Sequence, residues 1–388
     1  MADAIASGSY WEIGDPMLYW PLFRPNRRDA DGLRILVAGC GTVQAAYYAL
    51  RNPTWSVVGI DFSESSLAHQ VALKERHQLE NLELHKLDLE EVATLGKEFD
   101  FITCTGVLHH LPNPESGLIA LRNVLSPEGV INLMVYGSSL RLGVYMLQEV
   151  FRELQFKQTP ADVDMVRKVI QTLPQDHVAQ KYINAVSDLD YDSGLVDTFL
   201  HPQDLSFDVK GIYDLTRSCG LEFISWCDPI LYSLKHHIPS KHPLWKKLEG
   251  ISDEAAAHVC DLLVQRQGTH RWFVGHPDYV KSLQTLFGSD EFLNYTIIPH
   301  RNLVLNRIGD PASNTPAECS RDGYAFQVSV GLTRLMALLN GSNNISTVLL
   351  DARQDDILGS ISLEALKEEI QSLWKMGHIY VLHPAASA

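Results

Sequence analysis

Clusters of positive charge, long apolar runs and paired cysteines are all missing from this 388-residue chain. No stretch is rich in Lys and Arg, and the formal net charge is −15. Such a surface repels phosphate backbones and anionic membranes, so we expect neither nucleic acid nor a membrane as a partner. The longest apolar stretches, such as Gly129–Tyr136, are far too short to cross a bilayer.

The first residues contain no basic segment followed by an apolar one, so the sequence predicts no secretion signal. The six cysteines include no C-x-x-C pair. This favours free, mostly buried thiols over disulfides or a zinc site. Both observations predict a cytoplasmic protein. Hydrophobic residues make up 45% of the chain and charged residues 20%, which is typical of a soluble enzyme with room for two domains.

Strand-like apolar runs alternate with helical segments between residues 33 and 136. Strands that are apolar throughout belong to a sheet covered on both faces, and strict β/α alternation makes that sheet parallel. The sequence therefore predicts an α/β fold with a Rossmann-like, doubly wound, mostly parallel sheet. The expected strands are Arg34–Ala38, Trp55–Ile60, Leu82–Leu87, Phe99–Cys104 and Val130–Tyr136.

The regular alternation then stops. Residues 137–207 have a mainly helical pattern, and we interpret them as an insertion that covers one side of the sheet. The alternation later resumes, and Arg271–Val274 is expected to form a last, edge strand. We therefore assign residues 33–276 to the Rossmann-like domain and residues 1–32 to an aromatic N-terminal cap.

Residues 277–388 are expected to form a smaller α+β C-terminal module, because two helices followed by a short strand resemble a winged helix. Winged helices often bind DNA, but this segment has 8 Lys and Arg against 12 Asp and Glu. We therefore expect it to form a homodimer or to dock substrate. The sequence leaves these two roles open.

The most informative motif is a strand, a glycine turn, a helix and a second strand that ends in an acidic residue. Gly39 and Gly41 allow a sharp turn against which a ligand can lie. Asp61 ends the second strand, where a carboxylate can accept hydrogen bonds from both hydroxyls of a ribose. Asp88 ends the third strand and is placed to reach an adenine edge. In a purely structural alternative, both acids are only helix N-caps.

The glycine turn also bears on the kind of nucleotide. A dinucleotide-binding turn needs a third glycine beneath the pyrophosphate, and alanine occupies positions 45 and 46 here. Gly39-Cys40-Gly41 instead resembles the first motif of class I S-adenosylmethionine methyltransferases. Further motifs of that family follow in order over residues 33–136, closest to the ubiquinone- and menaquinone-biosynthesis branch. They are GIDFSESSL, HKLDLEE and FDFITCTGVLHHLPNPESGLIALRNVLSPEGVINLMVY.

The resemblance implies S-adenosylmethionine as the cofactor, with methyl transfer to an O, N or C nucleophile of a small molecule or peptide. Val43 departs from the family, because it stands where the third glycine of the motif is expected. A β-branched residue adopts positive φ only at a cost, so either the turn stays right-handed at Val43, as we expect, or cofactor binding is weakened. The cofactor contacts implied by the resemblance are Gly39, Gly41, Asp61, Phe62, Asp88, Leu89 and Thr105.

The predicted acceptor side follows strands four and five. A neutral His109 or His110 can remove a proton from the attacking nucleophile, although both can equally cap or pack the next helix. Much of the rate of methyl transfer can also come from alignment and desolvation rather than from a base. Tyr136, Arg141 and Tyr145 either line the acceptor pocket or belong to the core and the helix surface.

Three more residues are candidates for the acceptor pocket. Asp197 and His201 belong to a short polar loop of the insertion, and two ligands without a third lead us to expect no metal. Tyr19 lies in an aromatic run before the first strand and either packs on the sheet edge or covers the cofactor. Two other functions stay open: a non-catalytic nucleoside-binding or assembly module, and an NAD-dependent oxidoreductase.

Overall fold

The computed structural model describes residue 19 and residues 31–383, except 240, 266–267, 286–288, 311–312, 314, 322, 353–355 and 361. Of the predicted N-terminal cap at residues 1–32, only Tyr19, Asp31 and Gly32 therefore lie within the described residues.

A central sheet is built from β1 (Arg34–Ala38), β2 (Ser56–Asp61), β3 (Leu82–Lys86), β4 (Phe99–Thr105), β5 (Leu125–Tyr136), β6 (Glu222–Trp226) and β7 (Thr269–Gly275). Its strand order is β3-β2-β1-β4-β5-β7-β6. Strands β1 to β5 pair in parallel, whereas β7 is antiparallel to both β5 and β6. The predicted Rossmann-like, mostly parallel sheet is confirmed.

The expectation of an edge strand at Arg271–Val274 was wrong. That segment belongs to β7, which lies between β5 and β6. The run Trp272–Gly275 is buried throughout, as an interior strand covered on both faces requires. The described edge on this side is β6, most of whose residues are exposed or only partly buried.

Helices lie against both faces of this sheet. In β1, alternate side chains enter different cores: Ile35 and Val37 on one face, Leu36 and Ala38 on the other. No helix among the described residues is long and apolar enough to span a bilayer. The longer helices are α1 (Gln44–Arg51), α2 (Glu64–His77), α3 (Pro114–Asn123), α4 (Leu142–Glu153), α5 (Pro160–Thr172), α6 (Val209–Ser218), α7 (Asp253–Val264), α8 (Pro277–Thr285), α9 (Val330–Leu338), α10 (Ile345–Asp351) and α11 (Leu363–Lys375).

Local signals set the ends of the helices beside the glycine turn. The Ser63 hydroxyl accepts the Ser66 N–H at 3.2 Å and caps α2, and Gln78 ends that helix in the left-handed conformation, with φ 52°. Asn113 caps α3, with Pro114 at its first position. These caps satisfy N–H groups that have no partner inside the helix.

The insertion contains α4, α5 and several single-turn helices. Its buried apolar residues, from Leu140 to Phe199, form a cluster without any residue of the central sheet. The prediction that the insertion covers one side of the central sheet was therefore wrong. The insertion instead meets the carboxyl ends of β4 and β5, where Leu205 donates to the carbonyl of His109 at 2.9 Å and Phe207 to that of Tyr136 at 2.9 Å.

The C-terminal part contains β8 (Thr296–Pro299), β9 (Leu303–Arg307), β10 (Ala317–Arg321), β11 (Tyr324–Val328) and β12 (Ile379–Leu382). Strands β9 to β11 form an antiparallel sheet in the order β11-β10-β9, and β12 pairs antiparallel with β8. Together with α9, α10 and α11 they enclose a separate core. Strands β9 to β11 were not predicted from the sequence, and the winged-helix assignment stays a prediction.

A buried arginine joins this C-terminal part to the Rossmann-like domain. Arg321 is 3% exposed and lies 2.5 Å from the Asp228 carboxylate, next to β6. Its guanidinium also donates to the Gly377 carbonyl, and Tyr380 packs into the core of one face of the central sheet. Because a buried charge needs such partners, this contact fixes the two parts against each other.

All six cysteines are free and buried. Burial raises the pKa of Cys104 and of Cys40 to about 12, so these thiols stay protonated and unreactive at neutral pH. The prediction of free, buried thiols is confirmed.

Candidate functional site

The first component of the site is the glycine turn after β1. The N–H groups of Gly39 and Cys40 both donate to the Ile60 carbonyl at 2.9 Å, which fixes the turn beside the end of β2. Gly39 has φ +73°, and a Cβ there would lie 2.2 Å from Cγ2 of Val107. Gly41 has φ +52° but open space around it. The turn therefore needs glycine at position 39 for two reasons, conformation and space.

This difference predicts unequal effects for two alanine substitutions. We expect Gly39→Ala to lower the thermal midpoint and the affinity for S-adenosylhomocysteine, because Val107 must move as well as the backbone. Gly41→Ala is expected to cost only the left-handed conformation, about 1–2 kcal/mol. Thermal unfolding and calorimetric titration of both variants provide the measurement. Equal losses in the two variants would show that the contact with Val107 is unimportant.

Val43 settles the question raised by the missing third glycine. Its φ is −143°, outside the left-handed region that favours glycine. Its side chain is buried in the core of one face of the sheet. The backbone keeps a negative φ at this position, as expected, and valine is compatible with it.

Asp61, at the end of β2, connects this turn with the loop before α2. Its Oδ2 accepts the N–H of Gly41 and its Oδ1 accepts the N–H of Ser63, each at 2.8 Å. A carboxylate oxygen accepts more than one hydrogen bond, so the partly buried side chain can still receive hydroxyl donors. Phe62 follows with 77% of its surface exposed, which leaves an aromatic face free for a ligand.

Gln70 on α2 is a site residue that sequence reasoning missed. Its fully buried side chain donates to the carbonyls of Cys40 and Gly41 at 2.9 and 3.1 Å. Its Oε1 accepts the N–H of Ala46 at 3.0 Å. One amide thus holds three backbone groups of the turn. A glutamine on an amphipathic helix is expected to face solvent, so no local pattern in the sequence indicated that Gln70 holds the turn.

We expect Gln70→Leu to leave those three backbone groups without their partner and to weaken S-adenosylhomocysteine binding by about tenfold or more. The reason is that each unsatisfied buried group costs about 1–3 kcal/mol. His69→Leu, at the exposed neighbouring position, is the matched control. Calorimetric titration measures both variants, and the same affinity in both would exclude a role for Gln70 in shaping the turn.

The remaining predicted cofactor residues follow β3 and β4. Asp88 is exposed, and its Oδ1 caps a short 3₁₀ helix by accepting the N–H of Glu90 at 3.1 Å. Leu89 is buried beside it. Thr105 lies at the end of β4, 3.5 Å from the side-chain oxygen of Gln44 on α1. The alternative that the two acids are helix N-caps therefore holds for Asp88. It does not hold for Asp61, because Ser63 caps α2.

A second component, the histidine–tyrosine cluster of His109, His110, Tyr136, Asp197 and His201, lies beyond Thr105. The ring of His109 lies 3.9 Å from that of Tyr136 and 4.2 Å from that of His110, between centroids. The His201 ring lies 3.9 Å from that of His110. The Tyr136 hydroxyl donates to Asp197. The structure therefore brings together five side chains from three separate segments of the sequence.

The two adjacent histidines differ in charge. His110 Nδ1 lies 3.0 Å from the Gln203 carbonyl and its Nε2 lies 3.3 Å from the Asp197 carboxylate. Both partners only accept, so both nitrogens donate and the ring is an imidazolium. Burial opposes this charge, but the hydrogen bonds to Asp197 and to the carbonyl outweigh it and raise the pKa of His110.

His109 is the neutral member of the pair. It is fully buried, and neither of its ring nitrogens has a hydrogen-bond partner among the described residues. Burial, and then the nearby His110, lower its pKa to about 2. An unpaired buried imidazole is costly, so His109 is a polar group whose hydrogen-bonding capacity is unused in this structure.

Asp197 is the anionic centre of the cluster. Burial works against ionisation, but hydrogen bonds from His110 and Tyr136 lower its pKa to about 2. Its side chain remains 47% exposed, so a carboxylate faces solvent between aromatic rings. Burial and then the Asp197 charge raise the pKa of Tyr136, which keeps that hydroxyl a hydrogen-bond donor at neutral pH.

Arg141 lies behind the cluster. Its guanidinium carbon lies 3.6 Å from the centroid of the Tyr136 ring. The side chain is fully buried and donates to the hydroxyls of Tyr145 at 3.2 Å and Tyr182 at 2.6 Å, and to Asp204 at 2.9 Å. The predicted pocket residues Arg141 and Tyr145 thus adjoin the cluster, where the guanidinium supports Tyr136.

Tyr19 is the predicted pocket residue that the structure does not bring to the cluster. Its ring lies 5.0 Å from that of Phe273, which pairs with Asn132 in β5. Asn132 lies four residues before Tyr136 at the end of β5, which is roughly 13 Å along the strand. The tyrosine therefore packs on a face of the sheet. Among the described residues, no three His, Cys, Asp or Glu side chains are grouped to hold a metal.

Comparison with known proteins identifies a methyltransferase domain in this part of the chain. Residues 36–131 match the family model described as a methyltransferase domain. The chain is 33% identical over 110 residues to a ubiquinone biosynthesis O-methyltransferase of Pseudomonas syringae, a match of 27% of this chain and 45% of that enzyme. It is 29% identical over 286 residues to an uncharacterized protein of Synechococcus, across 71% of this chain and 67% of that protein.

The fold is similar to that of a solved structure, PKMT2 from Rickettsia typhi. It covers 95% of this chain and 75% of that one, with a TM-score of 0.62 at 15% sequence identity. The same protein has been solved in complex with AdoHcy. The chain spans only about half the length of the Pseudomonas syringae enzyme, so that enzyme's substrate is not transferred to it.

The fold is the Rossmann-like fold of methyltransferases, and the glycine turn and strand-end acids lie at the edge where such sheets bind ligands. Residues 36–131 carry the methyltransferase domain, and the relatives and neighbours found support a class I S-adenosylmethionine-dependent methyltransferase. The residues present fit that cofactor: the glycine turn leaves space for it, and the Asp61 carboxylate retains acceptor capacity for its ribose.

Proposed function

We propose that the chain transfers the methyl group of S-adenosylmethionine to an O, N or C nucleophile of a small molecule or peptide. In this proposal Gly39, Gly41, Asp61, Phe62, Asp88, Leu89 and Thr105 contact the cofactor. The acceptor lies over the histidine–tyrosine cluster. The bound cofactor supplies an electrophilic methyl group on a sulfonium.

One observation carries the proposal: the glycine turn and the cluster lie at neighbouring strand ends. Thr105 ends β4 and approaches Gln44 on the helix that follows the turn. The N–H of Gly106 donates to the Met134 carbonyl at 3.2 Å, which joins the loop before His109 to β5. Open α/β sheets bind ligands at this edge, so the two components fit one reaction.

The cluster is suited to orienting a nucleophile. Tyr136 and the His110 imidazolium hold Asp197 in place, and Asp197 presents acceptor oxygens to a donor on the substrate. His109 is neutral, but with a pKa near 2 it is a weak base before substrate binds. We therefore propose that alignment and desolvation contribute more to the rate than proton removal. In that role Tyr136 and Asp197 position the acceptor.

The methyltransferase match weighs against the two other functions considered. An NAD-dependent oxidoreductase needs the pyrophosphate-binding glycine, and Gln44 and Ala45 begin α1 directly after Val43. A non-catalytic module gives no reason for a half-exposed carboxylate between three titratable rings. A small-molecule or peptide acceptor and a homodimer remain part of the proposal, as does the absence of nucleic acid.

The test measures cofactor binding first and turnover second. Calorimetry is expected to show binding of S-adenosylmethionine and S-adenosylhomocysteine at micromolar affinity, and none for NAD. Fractionated small molecules and peptides are then incubated with methyl-labelled S-adenosylmethionine to find the fraction that takes up label. With that fraction, Tyr136→Phe is expected to lower turnover while S-adenosylhomocysteine affinity stays unchanged.

Two controls frame this experiment. Tyr191→Phe alters an exposed tyrosine of the insertion and is expected to leave both quantities unchanged. If the wild-type protein binds neither sulfur nucleoside, the proposed reaction is excluded and the assembly function is favoured. If label uptake is the same in Tyr136→Phe and the wild type, Tyr136 has no part in holding the acceptor.

A further inference from the structure

A cavity of about 400 Å³ lies in the insertion beside the histidine–tyrosine cluster. It opens between the second half of α4, the turn that follows it and the loop after Phe199. Ligand pockets in proteins usually measure about 300–1,000 Å³, so the space suits a small molecule. It is lined by Gln148, Phe151, Arg152, Phe156, Lys157, Gln158, Phe199, Leu200, His201 and Pro202.

Aromatic rings dominate the inner wall. The ring of Phe151 lies 5.1 Å from that of Phe156 and 6.0 Å from that of Phe199, between centroids. Phe151 and Phe199 are almost fully buried, whereas Phe156 is partly exposed. Tilted and edge-on rings at these separations are the arrangement in which aromatic groups attract one another, and a further flat ring can pack against Phe156, the partly exposed member of this group.

The charge of the cavity is opposite to that of the chain. Two of its lining residues, Arg152 and Lys157, are cationic and none is acidic, although the whole chain carries a net charge of −15. Arg152 already pairs with Glu149 on the same helix. No ion pair of the Lys157 ammonium is found among the described residues. A ligand with one negative charge therefore has a partner at the rim.

His201 is shared between the cavity and the cluster. It lines the cavity, and its ring lies 3.9 Å from that of His110. Burial and the charge of His110 lower the pKa of His201, so the shared wall is a neutral ring. Gln148, another lining residue, donates to Asp204 at 2.7 Å, the carboxylate that also holds Arg141. The cavity thus adjoins the proposed acceptor side through His201.

From this lining we infer that the cavity is a recognition subsite for the acceptor, and that its ligand is an aromatic carboxylate. The ring packs against Phe156, the carboxylate meets Lys157, and the reacting group extends past His201 toward Tyr136 and Asp197. This inference rests on the proposed function for its catalytic meaning. Asp197 repels a carboxylate, which fixes the direction in which the ligand enters.

The test uses 2-naphthoate and its neutral isostere 2-naphthamide as probes, titrated by calorimetry into the full chain. We expect 2-naphthoate to bind about tenfold more tightly than the amide, because only the carboxylate forms a charge-assisted bond with Lys157. Lys157→Gln should remove this preference and leave amide binding unchanged. Lys168→Gln, at an exposed lysine on α5 that pairs with Asp164, is the matched control.

Phe156→Leu tests the aromatic wall at a partly exposed position that can be changed without emptying the core. It is expected to weaken both probes and to keep their ratio. Equal binding of carboxylate and amide to the wild type would overturn the inference. A preference that survives in Lys157→Gln, or is lost in Lys168→Gln as well, would also overturn it.

S-Adenosylhomocysteine is titrated into the same samples to separate this inference from the proposed function. Binding of the nucleoside without a preference for 2-naphthoate rejects the subsite alone. The preference for 2-naphthoate without nucleoside binding keeps the aromatic-acid site and rejects methyl transfer. With both sites present, saturating S-adenosylhomocysteine is expected to leave 2-naphthoate binding intact, because acceptor and cofactor must be bound together.

Discussion

Asp61→Asn is expected to weaken S-adenosylhomocysteine binding by at least about 100-fold. The carboxylate accepts the N–H groups of Gly41 and Ser63 and is placed to accept the two hydroxyls of a ribose. An asparagine keeps one acceptor oxygen and turns the other position into an N–H donor. That donor faces either a backbone N–H or a ribose hydroxyl. Each lost bond to a charged group costs about 1.5–3 kcal/mol, and two such losses exceed a factor of 100.

The matched control is Glu64→Gln, three residues further along the chain. Glu64 is exposed and pairs with Lys86 on the surface, so we expect its loss to change the affinity less than twofold. Calorimetric titration gives the affinities, and the thermal midpoint shows whether each variant is folded. Wild-type affinity in Asp61→Asn would remove this residue from the cofactor site and with it the assignment of the ribose pocket.

The cofactor side could be predicted from the sequence because its parts follow one rule. Gly39, Asp61 and Thr105 each come directly after a run of apolar residues, and parallel strands bring their carboxyl ends to one edge. The backbone at Val43 was also predictable, since β-branched residues avoid the left-handed region. Gln70 was not predictable, because its bonds reach across about 30 residues to the Cys40 and Gly41 carbonyls.

The acceptor side shows where sequence reasoning stops. His109, His110, Tyr136 and Asp197 were candidates by residue type and position, and the structure brings them into contact. Their charges were not predictable, because only geometry shows that both nitrogens of His110 face acceptors. The pairing of β7 was also not predictable. Its interior position depends on the strand running antiparallel to β5, and hydrophobic periodicity does not encode strand direction.

The partners of Arg141 were also not predictable from the sequence. Loss of these contacts is expected to lower the stability of the protein more than any other change considered. Its guanidinium pairs with Asp204, and the two side chains are 0% and 2% exposed. The second oxygen of Asp204 is buried without a hydrogen-bond partner among the described residues. The carboxylate therefore depends on Arg141, with Gln148 donating to the same oxygen at 2.7 Å. Removing one member of such a pair leaves a buried charge uncompensated.

We expect Arg141→Met to cost about 3–5 kcal/mol, which for a domain of this size lowers the thermal midpoint by at least about 6 °C. The loss should also release the Tyr136 ring, which packs against the guanidinium, and so reduce turnover. Arg152→Met removes an exposed arginine from α4, the helix that begins directly after Arg141, and is expected to change the midpoint by less than about 1 °C. Differential scanning calorimetry measures both.

A double variant separates the cost of the buried charge from the cost of lost packing. Arg141→Met with Asp204→Asn leaves no uncompensated carboxylate, so part of the lost stability should return. Full recovery would mean that the whole cost of Arg141→Met comes from the uncompensated Asp204 carboxylate. No recovery would mean that the contacts of Arg141 with Tyr136, Tyr145 and Tyr182 dominate. If Arg141→Met is as stable as Arg152→Met, the buried pair is not what holds the acceptor side together.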